Sequence, residues 1–463
     1  MTGPSLRDFV PTRADLAALV RLSLPVAVVQ VGMMAMGTVD TVMVGRVSAT
    51  DLAAVAMGNL YFFGVAVFGM GVLFGLDPVI SQAVGAGDDV AVARGVQRGG
   101  ILSLGLTVLA SLLLLPAGPV LTLFRQPADV VPVAHGYALA SILGVLPFYL
   151  FNVFRQSLQA MGRVAPILAT VVLANLGNVL FNWILIYGNL GVPALGAVGS
   201  GWATSLSRWL MLGALLLFGW PRLRPSVRPF RREALALPPL ARFLRLGTPI
   251  GIQQMLEFGV FGAAGLLMGW IGTVAMASHQ VALNLSALTF MVPVGIAQAA
   301  AVLVGHAVGR GDPPVARRAA GAGLITGAAF MTSTAVLFLA APGFLARVYS
   351  DDAPVVALAA LLIPIAGVFQ VFDGIQVVGA GVLRGVGDTR VPMVLNLVGF
   401  WVVGLPVSAL LAFGLGAGPR GVWMGLALGI GAVAVLLLAR VWARFGRDLR
   451  RLAIEDEAVT EGA

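Results

Sequence analysis

Apolar segments long enough to cross a membrane recur along almost the whole chain, and this feature constrains the fold most. One helical crossing of a bilayer needs about 20 consecutive, mostly apolar residues. The chain is 59% hydrophobic and only 11% charged, whereas soluble globular proteins are about 45–50% apolar and about 25% charged. We therefore predict an all-α integral membrane protein and reject a soluble fold.

The hydrophobic pattern predicts twelve transmembrane helices. Their approximate ranges are 18–45, 52–84, 94–116, 133–158, 166–187, 197–219, 246–271, 276–307, 316–340, 355–382, 392–413 and 421–443. The longest polar break, rich in Pro and Arg, separates them into two groups of six. This break predicts an N-terminal lobe over 1–220, a cytoplasmic linker over 221–245, a C-terminal lobe over 246–443 and a cytoplasmic tail over 444–463.

The two groups of helices carry an internal repeat. Residues 52–94 align without gaps on residues 276–318 at an offset of 224. The aligned pairs include Gly71 with Gly295, Gly87 with Gly311, and Asp88 with Asp312. Because six crossings are an even number, both lobes keep the same orientation. The repeat therefore predicts a pseudo-two-fold axis along the membrane normal, with the substrate site between the lobes.

The charge pattern predicts the topology. All 29 basic residues are Arg, and the net charge is +9. If the N-terminus is cytoplasmic, the outer loops hold only Arg46, Arg125, Arg347 and Arg420. This asymmetry follows the positive-inside rule and predicts two cytoplasmic termini rather than nucleic-acid binding. The chain has no Cys, which excludes disulfides and thiolate metal sites. Arg208 falls within the sixth helix, where we expect it near a helix end with its charge reaching water, with a functional role as the alternative.

Two acids lie in predicted transmembrane helices of the C-terminal lobe. An ionised carboxylate at the centre of a bilayer costs a few kcal/mol unless a partner compensates it. Asp373 has Gln370 three residues before it, and Glu257 follows Gln253 and Gln254. Carboxylate and amide oxygens suit Na+, and two close carboxyl groups can also share one proton. We predict that Glu257 and Asp373 bind a coupling cation, as a Na+ site or a proton site, if their helices are neighbours.

A third acid, Asp40, lies in the first predicted helix. Met36 and Met33 precede it by four and seven residues, so they share its helical face. Flexible methionine side chains suit promiscuous binding surfaces. Asp40 is therefore a candidate for binding a cation or neutralising a cationic substrate. Further polar residues complete the predicted pocket, with simple helix packing as the alternative: Gln30, Asn175, Asn178, Asn182 and Asn284.

Several stretches resemble the multidrug and toxic compound extrusion (MATE) family, in its NorM-type bacterial branch. They are LSLPVAVVQVGMMAMGTVDTVMVGRVSATDLAAVAM at 22–57, LRLGTPIGIQQMLEFGVFG at 244–262, ASHQVALNLSALTFMVPVGI at 277–296 and FQVFDGIQVVGAGVLRGVGDT at 369–389. Their order and spacing make the resemblance specific over about residues 18–443. The resemblance implies a twelve-helix antiporter of the bacterial inner membrane. Such a protein exports cationic amphiphilic drugs in exchange for Na+ or H+.

The resemblance also assigns residues. Asp40, Glu257 and Asp373 match the family's acids in helices one, seven and ten. Asn182 stands where another branch of the family has a second acid, which argues against coupling by the first lobe alone. Phe369 replaces a frequent Tyr, so an aromatic face remains without the hydroxyl. We expect drugs and membrane lipid as partners, no cofactor besides the coupling ion, and a monomer.

Two other functions fit a polytopic membrane protein. A lipid-linked saccharide flippase of the same superfamily would require a large cavity lined by Arg. A membrane-bound transferase would require catalytic carboxylates in its outer loops, and these loops are short and poor in acids. The intramembrane charges are mainly acidic, so a transporter of cations, and not an enzyme, is the leading interpretation.

Overall fold

The computed structural model describes residues 5–454; residues 1–4 and the end of the predicted cytoplasmic tail, 455–463, lie outside this range. Every regular element in the described range is helical. Twelve long elements are named here in chain order: α1 (Arg13–Val44), α2 (Ala49–Gly85), α3 (Asp89–Leu114), α4 (Val130–Ile142 and Val145–Ala160), α5 (Ala165–Tyr187), α6 (Gly196–Val227), α7 (Leu237–Ile271), α8 (Thr273–Gly309), α9 (Pro313–Ala340), α10 (Ala353–Gly385), α11 (Arg390–Gly414) and α12 (Gly418–Phe445).

Eleven of these helices in the described range are long and apolar enough to cross a membrane. The twelfth, α4, is a pair of helices bent by 49° at a short break, and the pair passes the same test together. Each of the twelve predicted ranges falls on one of these elements. The predicted all-helical membrane fold is confirmed. Two short helices connect neighbouring elements, Ala117–Leu123 and Pro342–Arg347.

The helices pack into two units. The N-terminal unit holds residues 28–251 and 453–454, and the C-terminal unit holds residues 5–27 and 252–452. The boundary therefore runs through α1 and α7, and not through the polar break at 220–245. Part of that break is helical, because α6 continues to Val227 and α7 begins at Leu237. The division of the chain into lobes at 1–220 and 246–443, joined by a cytoplasmic linker at 221–245, stays a prediction.

Close backbone approaches explain why the first part of α7 packs in the N-terminal unit. A Cβ on Gly71 of α2 would lie 2.5 Å from the Cα of Gly251, so only glycine fits there. The repeat provides the equivalent approach in the C-terminal unit, where a Cβ on Gly295 would lie 2.7 Å from the backbone nitrogen of Ala27. Small residues let membrane helices approach this closely. The aligned pair Gly71 and Gly295 thus has the same packing role in both units.

The start of the chain is held within the C-terminal unit by two contacts. The ring of Phe9 stacks on that of Trp442 with centroids 5.5 Å apart. Asp15, near the start of α1, accepts a hydrogen bond of 3.0 Å from the Nε of Arg318 on α9. These contacts fix the first turns of α1 against helices from the second half of the sequence.

The repeat is also visible in local geometry before α3 and α9. Gly87 and Gly311 both have a φ of +70°, a left-handed conformation that glycine adopts without strain. The next residues, Asp88 and Asp312, each accept a hydrogen bond from the backbone N–H three positions later, at 2.9 and 3.1 Å. An aspartate at this position caps the first turn of a helix. Asp88 and Asp312 are therefore the N-cap residues of α3 and α9.

Candidate functional site

Glu257, on α7, accepts hydrogen bonds from three amide groups in the C-terminal unit. Its Oε1 is 3.1 Å from the Nε2 of Gln253, one turn earlier on the same helix. The same oxygen is 2.8 Å from the Nε2 of Gln376 on α10 and 2.6 Å from the Nδ2 of Asn396 on α11. Within residues 5–454, Oε2 accepts no hydrogen bond. One oxygen thus anchors the carboxylate, and the other keeps its acceptor capacity.

Asp373 lies on α10, one turn before Gln376, and its residue is 9% exposed. Its charge interacts with that of Glu257. In the part of the chain that the structure describes, its carboxylate has no hydrogen-bond partner. The condition that α7 and α10 are neighbours is met, because Gln376 on α10 donates to Glu257 on α7. Two such charges in an apolar environment repel, which favours a shared proton or a bound cation.

The group around Glu257 and Asp373 has the chemistry of a site for a hard monovalent cation. Carboxylate and carbonyl oxygens are the preferred ligands of such ions. The amides of Gln253 and Gln376 donate through nitrogen to Glu257, which leaves their oxygens as further ligands. Among the described residues, no three or more His, Cys, Asp or Glu side chains cluster as a metal site.

Asn396 was absent from the residues predicted from sequence. It lies at the last α-helical position of α11 before a π-helical stretch, Leu397–Gly404. Such wide turns are frequent at functional sites because they reorient the side chains beside them. The available signal was a single amide in an apolar run, which is weak because Asn also serves simple helix packing in membranes.

Other predicted residues of the C-terminal unit lie apart from the carboxyl groups. The Oε1 of Gln370 accepts hydrogen bonds from Thr289 at 2.9 Å and Thr334 at 3.2 Å. Gln370 thus serves packing between α8, α9 and α10, although it precedes Asp373 by one turn. The ring of Phe369 is buried and packs edge-on against Trp423, with centroids 5.8 Å apart. It therefore belongs to the apolar core of this unit.

Gln254 and Asn284 are half-buried. Neither forms a hydrogen bond to Glu257 or Asp373 in the described structure. Their assignment to a polar pocket stays a prediction.

Asp40, on α1, is the centre of a second cluster, which lies within the N-terminal unit. Its Oδ1 accepts hydrogen bonds from Asn178 at 3.0 Å and Asn182 at 2.6 Å, both on α5. Its Oδ2 accepts a hydrogen bond of 2.8 Å from Thr204 on α6. The side chain is only 4% exposed. Two of the three asparagines listed for the pocket on α5 thus contact the acid, and Thr204 is an additional partner that sequence reasoning missed.

Arg208, on α6, lies beside this second cluster, and the expectation that it sits near a helix end was wrong. It is the thirteenth residue of the helix and only 6% exposed. Its guanidinium lies over the ring of Phe62, 4.0 Å from the centroid, and its charge interacts with that of Asp40. A lone Arg inside an apolar segment was the available signal, since such charges mark functional positions by default.

The remaining predicted residues of α1 and α5 make other contacts. The Oε1 of Gln30 accepts a hydrogen bond of 2.7 Å from Arg155 on α4. Asn175 donates at 2.9 Å to the backbone oxygens of Gly32 and Val171, and so does not reach Asp40. Met36 is buried and Met33 is half-buried. Gln30 and Asn175 therefore brace helices, and the role of the two methionines stays a prediction.

Sequence comparison finds relatives along nearly the whole chain. A profile of the MatE family matches residues 25–184 and 249–410. The "Multidrug resistance protein MdtK" of Edwardsiella ictaluri is 35% identical over 433 residues, which cover 92% of this chain and 94% of that protein. The "Probable multidrug resistance protein NorM" of Rhizobium meliloti is 36% identical over 441 residues, 93% of each chain.

Solved structures share the fold. The eukaryotic MATE transporter AtDTX14 superposes with a TM-score of 0.86 at 22% identity, over 94% of this chain and 98% of the other. The Vibrio cholerae MATE transporter VcmN, in its bent form, superposes with a TM-score of 0.82 at 18% identity, over 94% of this chain and 97% of the other.

Proposed function

Since the chain belongs to the MatE family of membrane transporters, we propose that it is a secondary active antiporter that exports cationic amphiphilic drugs. Two relatives at 35% and 36% identity are named as multidrug resistance proteins, and both are matched over more than nine-tenths of their length. The family consists of transporters and not enzymes. The coupling ion is Na+ or H+, and transport proceeds by alternating access.

One observation carries this proposal: Glu257 and Asp373 are close within a membrane-spanning unit and, among the described residues, retain carboxylate oxygens without hydrogen-bond partners. An isolated carboxylate in a membrane interior needs compensation. The charge of Arg384 on α10 interacts with that of Glu257 and offsets one of the two acids, and a cation from solution offsets the other. Gln376 and Asn396 hold Glu257 in place, so the cation meets an arrangement that is already formed.

Coupling requires that the cation and the drug favour different conformations. A ligand shifts a conformational equilibrium only by the difference between its affinities for the two states. We propose that a cation on Glu257 and Asp373 stabilises the state that releases drug outside. Loss of the cation to the cytoplasm then favours the state that binds drug.

The acidic character of these clusters supports a cationic cargo over a lipid-linked saccharide. Four Arg side chains in the described part of the N-terminal unit are buried, and all are engaged within it: Arg94, Arg98, Arg155 and Arg208. Arg94 and Arg98 both contact Glu233. Arg155 donates to Gln30 at 2.7 Å and to Asn152 at 3.0 Å, and Arg208 packs on aromatic rings. Their engagement leaves none of them as a ready ligand for the phosphates of a lipid-linked sugar.

We place the protein in the bacterial inner membrane as a single working chain, with both termini in the cytoplasm. The low number of Arg residues in the predicted outer loops supports this orientation. The chain has no native Cys, so single Cys variants report topology directly. A membrane-impermeant thiol reagent added to intact cells should label Ala128→Cys and spare Ala236→Cys, both exposed positions. The reverse pattern would invert the topology.

The decisive test of function is drug uptake into inverted membrane vesicles. Ethidium or norfloxacin is supplied outside, and a Na+ gradient and a pH gradient are imposed separately, each with the higher cation concentration in the lumen. We expect one of them to drive uptake. If neither gradient drives uptake while cells lacking the gene accumulate lipid-linked saccharide precursors, the protein is a flippase and the proposal fails.

A further inference from the structure

Two short surface segments, one before α1 and one before α7, are related by the internal repeat. We call residues 5–12 the first arm, which lies in the C-terminal unit, and residues 228–235 the second arm, which lies in the N-terminal unit. Each arm contains a short 3-10 helix, Leu6–Phe9 in the first and Arg232–Leu235 in the second. These helices start 226 positions apart, close to the repeat offset of 224. The repeat therefore extends beyond the membrane-spanning helices.

Each arm packs on the same part of an equivalent helix. In the N-terminal unit, the side-chain amide of Gln97 on α3 donates to the backbone oxygen of Pro229 at 3.0 Å and accepts from the N–H of Arg231 at 2.9 Å. In the C-terminal unit, Gly321 of α9 stands at the repeat position of Gln97, and a Cβ there would overlap the backbone oxygen of Phe9. Hydrogen bonds thus fasten the second arm, and a close backbone approach fastens the first.

A second pair of equivalent positions adds an ion pair beside each arm. Arg94 on α3 lies 4.0 Å from the carboxylate of Glu233 in the second arm. Arg318 on α9 stands at the repeat position of Arg94, and it lies 3.0 Å from the carboxylate of Asp15, three residues after the first arm. Both arms are therefore fixed on their own unit, and their outward side chains form defined surfaces.

The outward surfaces combine large apolar side chains with arginines. Leu6 is 77% exposed and Phe230 is 55% exposed, and Val10 and Leu235 are also more than half exposed. The exposed arginines of the arms are Arg7, Arg228 and Arg232. A single exposed apolar residue is normal on a protein surface. Two repeat-related segments that both carry this combination match segments that lie in the interface of a membrane.

The lengths of α1 and α7 place the arms at the level of the lipid headgroups. α1 has 32 residues and α7 has 35, so at a rise of 1.5 Å per residue they are about 48 and 53 Å long. A bilayer with its headgroup regions is about 40–45 Å thick. The first turns of both helices therefore lie in the headgroup region or just outside it, and the arms directly precede these turns. At this level, arginines meet the negative surface of the cytoplasmic leaflet if the proposed topology holds.

We propose that the two arms dock on the anionic phospholipids of the cytoplasmic leaflet. The apolar side chains insert between the headgroups, and the arginines bind the phosphate groups. This docking anchors the starts of α1 and α7 at the membrane surface. The inference concerns a lipid contact outside the drug and ion sites, so it does not depend on the proposed antiport function.

Fluorescence quenching by labelled lipid tests the insertion of the arms. The chain has no native Cys, so Leu6→Cys and Phe230→Cys can each carry one fluorescent label on the full-length protein. The variants are placed in phosphatidylglycerol vesicles that contain a lipid with a spin label near its headgroup. Ala86→Cys is the control, because it is exposed on the loop that follows the 37-residue α2 and so lies farther from the bilayer.

We expect quenching at both arm positions to be at least about twofold stronger than at Ala86, because apolar side chains enter the interface. Quenching at the control level at either arm position would overturn the inference. Weak quenching combined with cross-linking of two chains through Phe230→Cys would show that a second copy of the chain covers the arm, and this result would also refute lipid docking.

Removal of arginines tests the class of lipid. The thermal midpoint of the purified protein in detergent is followed as phosphatidylglycerol is added, with phosphatidylcholine as the neutral comparison, because a lipid that binds the folded protein raises the midpoint. We expect R7Q/R232Q to need at least about tenfold more phosphatidylglycerol than wild type for the same rise, since each Arg near an anionic surface contributes to binding.

The matched control, R163Q/R310Q, removes the same charge from exposed positions outside the arms and should behave like wild type. Equal weakening in the two double variants, or an equal rise with phosphatidylcholine, would overturn the assignment of anionic lipid to the arms. Neither experiment involves transport. A failure of drug uptake with the expected quenching would therefore affect only the proposed function, and normal uptake without quenching would affect only the arms.

Discussion

The clusters around Glu257 and Asp40 are built from the same kinds of side chain, but they differ in what they leave open. Asp40 receives its three donors on both oxygens, which fills three of about four acceptor positions. Among the described residues, Glu257 receives three donors on one oxygen only, and Asp373 beside it receives none. The Asp40 cluster has the buried Arg208 nearby, whereas Glu257 has both a second acid and the half-buried Arg384 within range of its charge. The comparison predicts that the ion binds at Glu257 and Asp373, where carboxylate oxygens stay open, rather than at Asp40.

The two clusters do not occupy equivalent positions in the internal repeat. Pro25 and Pro249 lie inside α1 and α7 at the repeat offset of 224. At that offset Glu257 corresponds to Met33, and Asp40 corresponds to Ala264. The acids of α1 and α7 therefore occupy different positions along equivalent helices. The repeat determines the packing, whereas the polar clusters are specific to each unit.

The largest effect is expected from Asp373→Asn. The substitution keeps the shape of the side chain and removes one of two charges that hold the cation. Close charge pairs contribute about 1.5 kcal/mol or more, so gradient-driven export should fall at least about tenfold. Transport assays in proteoliposomes measure this, with Ser333→Ala on the exposed face of α9 as the matched control. Because Asp373 has no hydrogen-bond partner in the described range, thermal stability should not decrease. Wild-type export by the variant would overturn the assignment.

The next effect concerns the amides that hold Glu257. Asn396→Leu and Gln376→Leu each remove a donor to its Oε1. A hydrogen bond to a charged group contributes about 1.5–3 kcal/mol, so the KM for the coupling cation should rise about tenfold or more while kcat changes less. Gln370→Leu is the control, because its hydrogen bonds go to Thr289 and Thr334. If Gln370→Leu raised the KM for the cation equally, the effect would come from removing any polar side chain of α10, and not from removing the hydrogen bonds to Glu257.

Asp40→Asn should change stability more than ion coupling. The substitution directs an amide N–H₂ group toward Asn178, Asn182 or Thr204, all of which donate hydrogen bonds to the native carboxylate. A buried polar group left unsatisfied costs about 1–3 kcal/mol, which should lower the thermal midpoint of the purified protein. The KM for the coupling cation should stay within about twofold of wild type. A tenfold rise in that KM with an unchanged midpoint would place Asp40 among the coupling residues.

The smallest effect is expected from Asn175→Ala. Its amide bonds only to the backbone oxygens of Gly32 and Val171. Side-chain hydrogen bonds between membrane helices contribute about 0.6 kcal/mol on average, so the thermal midpoint should change little and export should be retained. Asn182→Ala is the matched comparison two turns further along α5, and it should cost more because Asn182 donates to Asp40. Equal losses in both variants would remove the distinction between bracing and acid-binding asparagines.

The residues that sequence reasoning missed share one property. Thr204, Arg208 and Asn396 are single polar residues in apolar helices, and nothing in their immediate neighbours distinguishes a partner of an acid from a packing contact. The three asparagines of α5 show that a shared helical face does not ensure a shared partner. Their spacing places them on one face, yet only Asn178 and Asn182 reach Asp40, because Asn175 lies two turns from Asn182 and meets the backbone of α1 instead.

The amino-acid sequence by itself determined the helical membrane fold, the twelve hydrophobic segments, the repeat and the three intramembrane acids. These follow from composition and local spacing, since a membrane interior admits only a few residue patterns. The tertiary structure decided which oxygens of those acids are satisfied, that α7, α10 and α11 meet at Glu257, and that Arg208 stands beside Asp40. Such pairings join residues more than a hundred positions apart, and they depend on how helices rotate and approach one another, which no local pattern encodes.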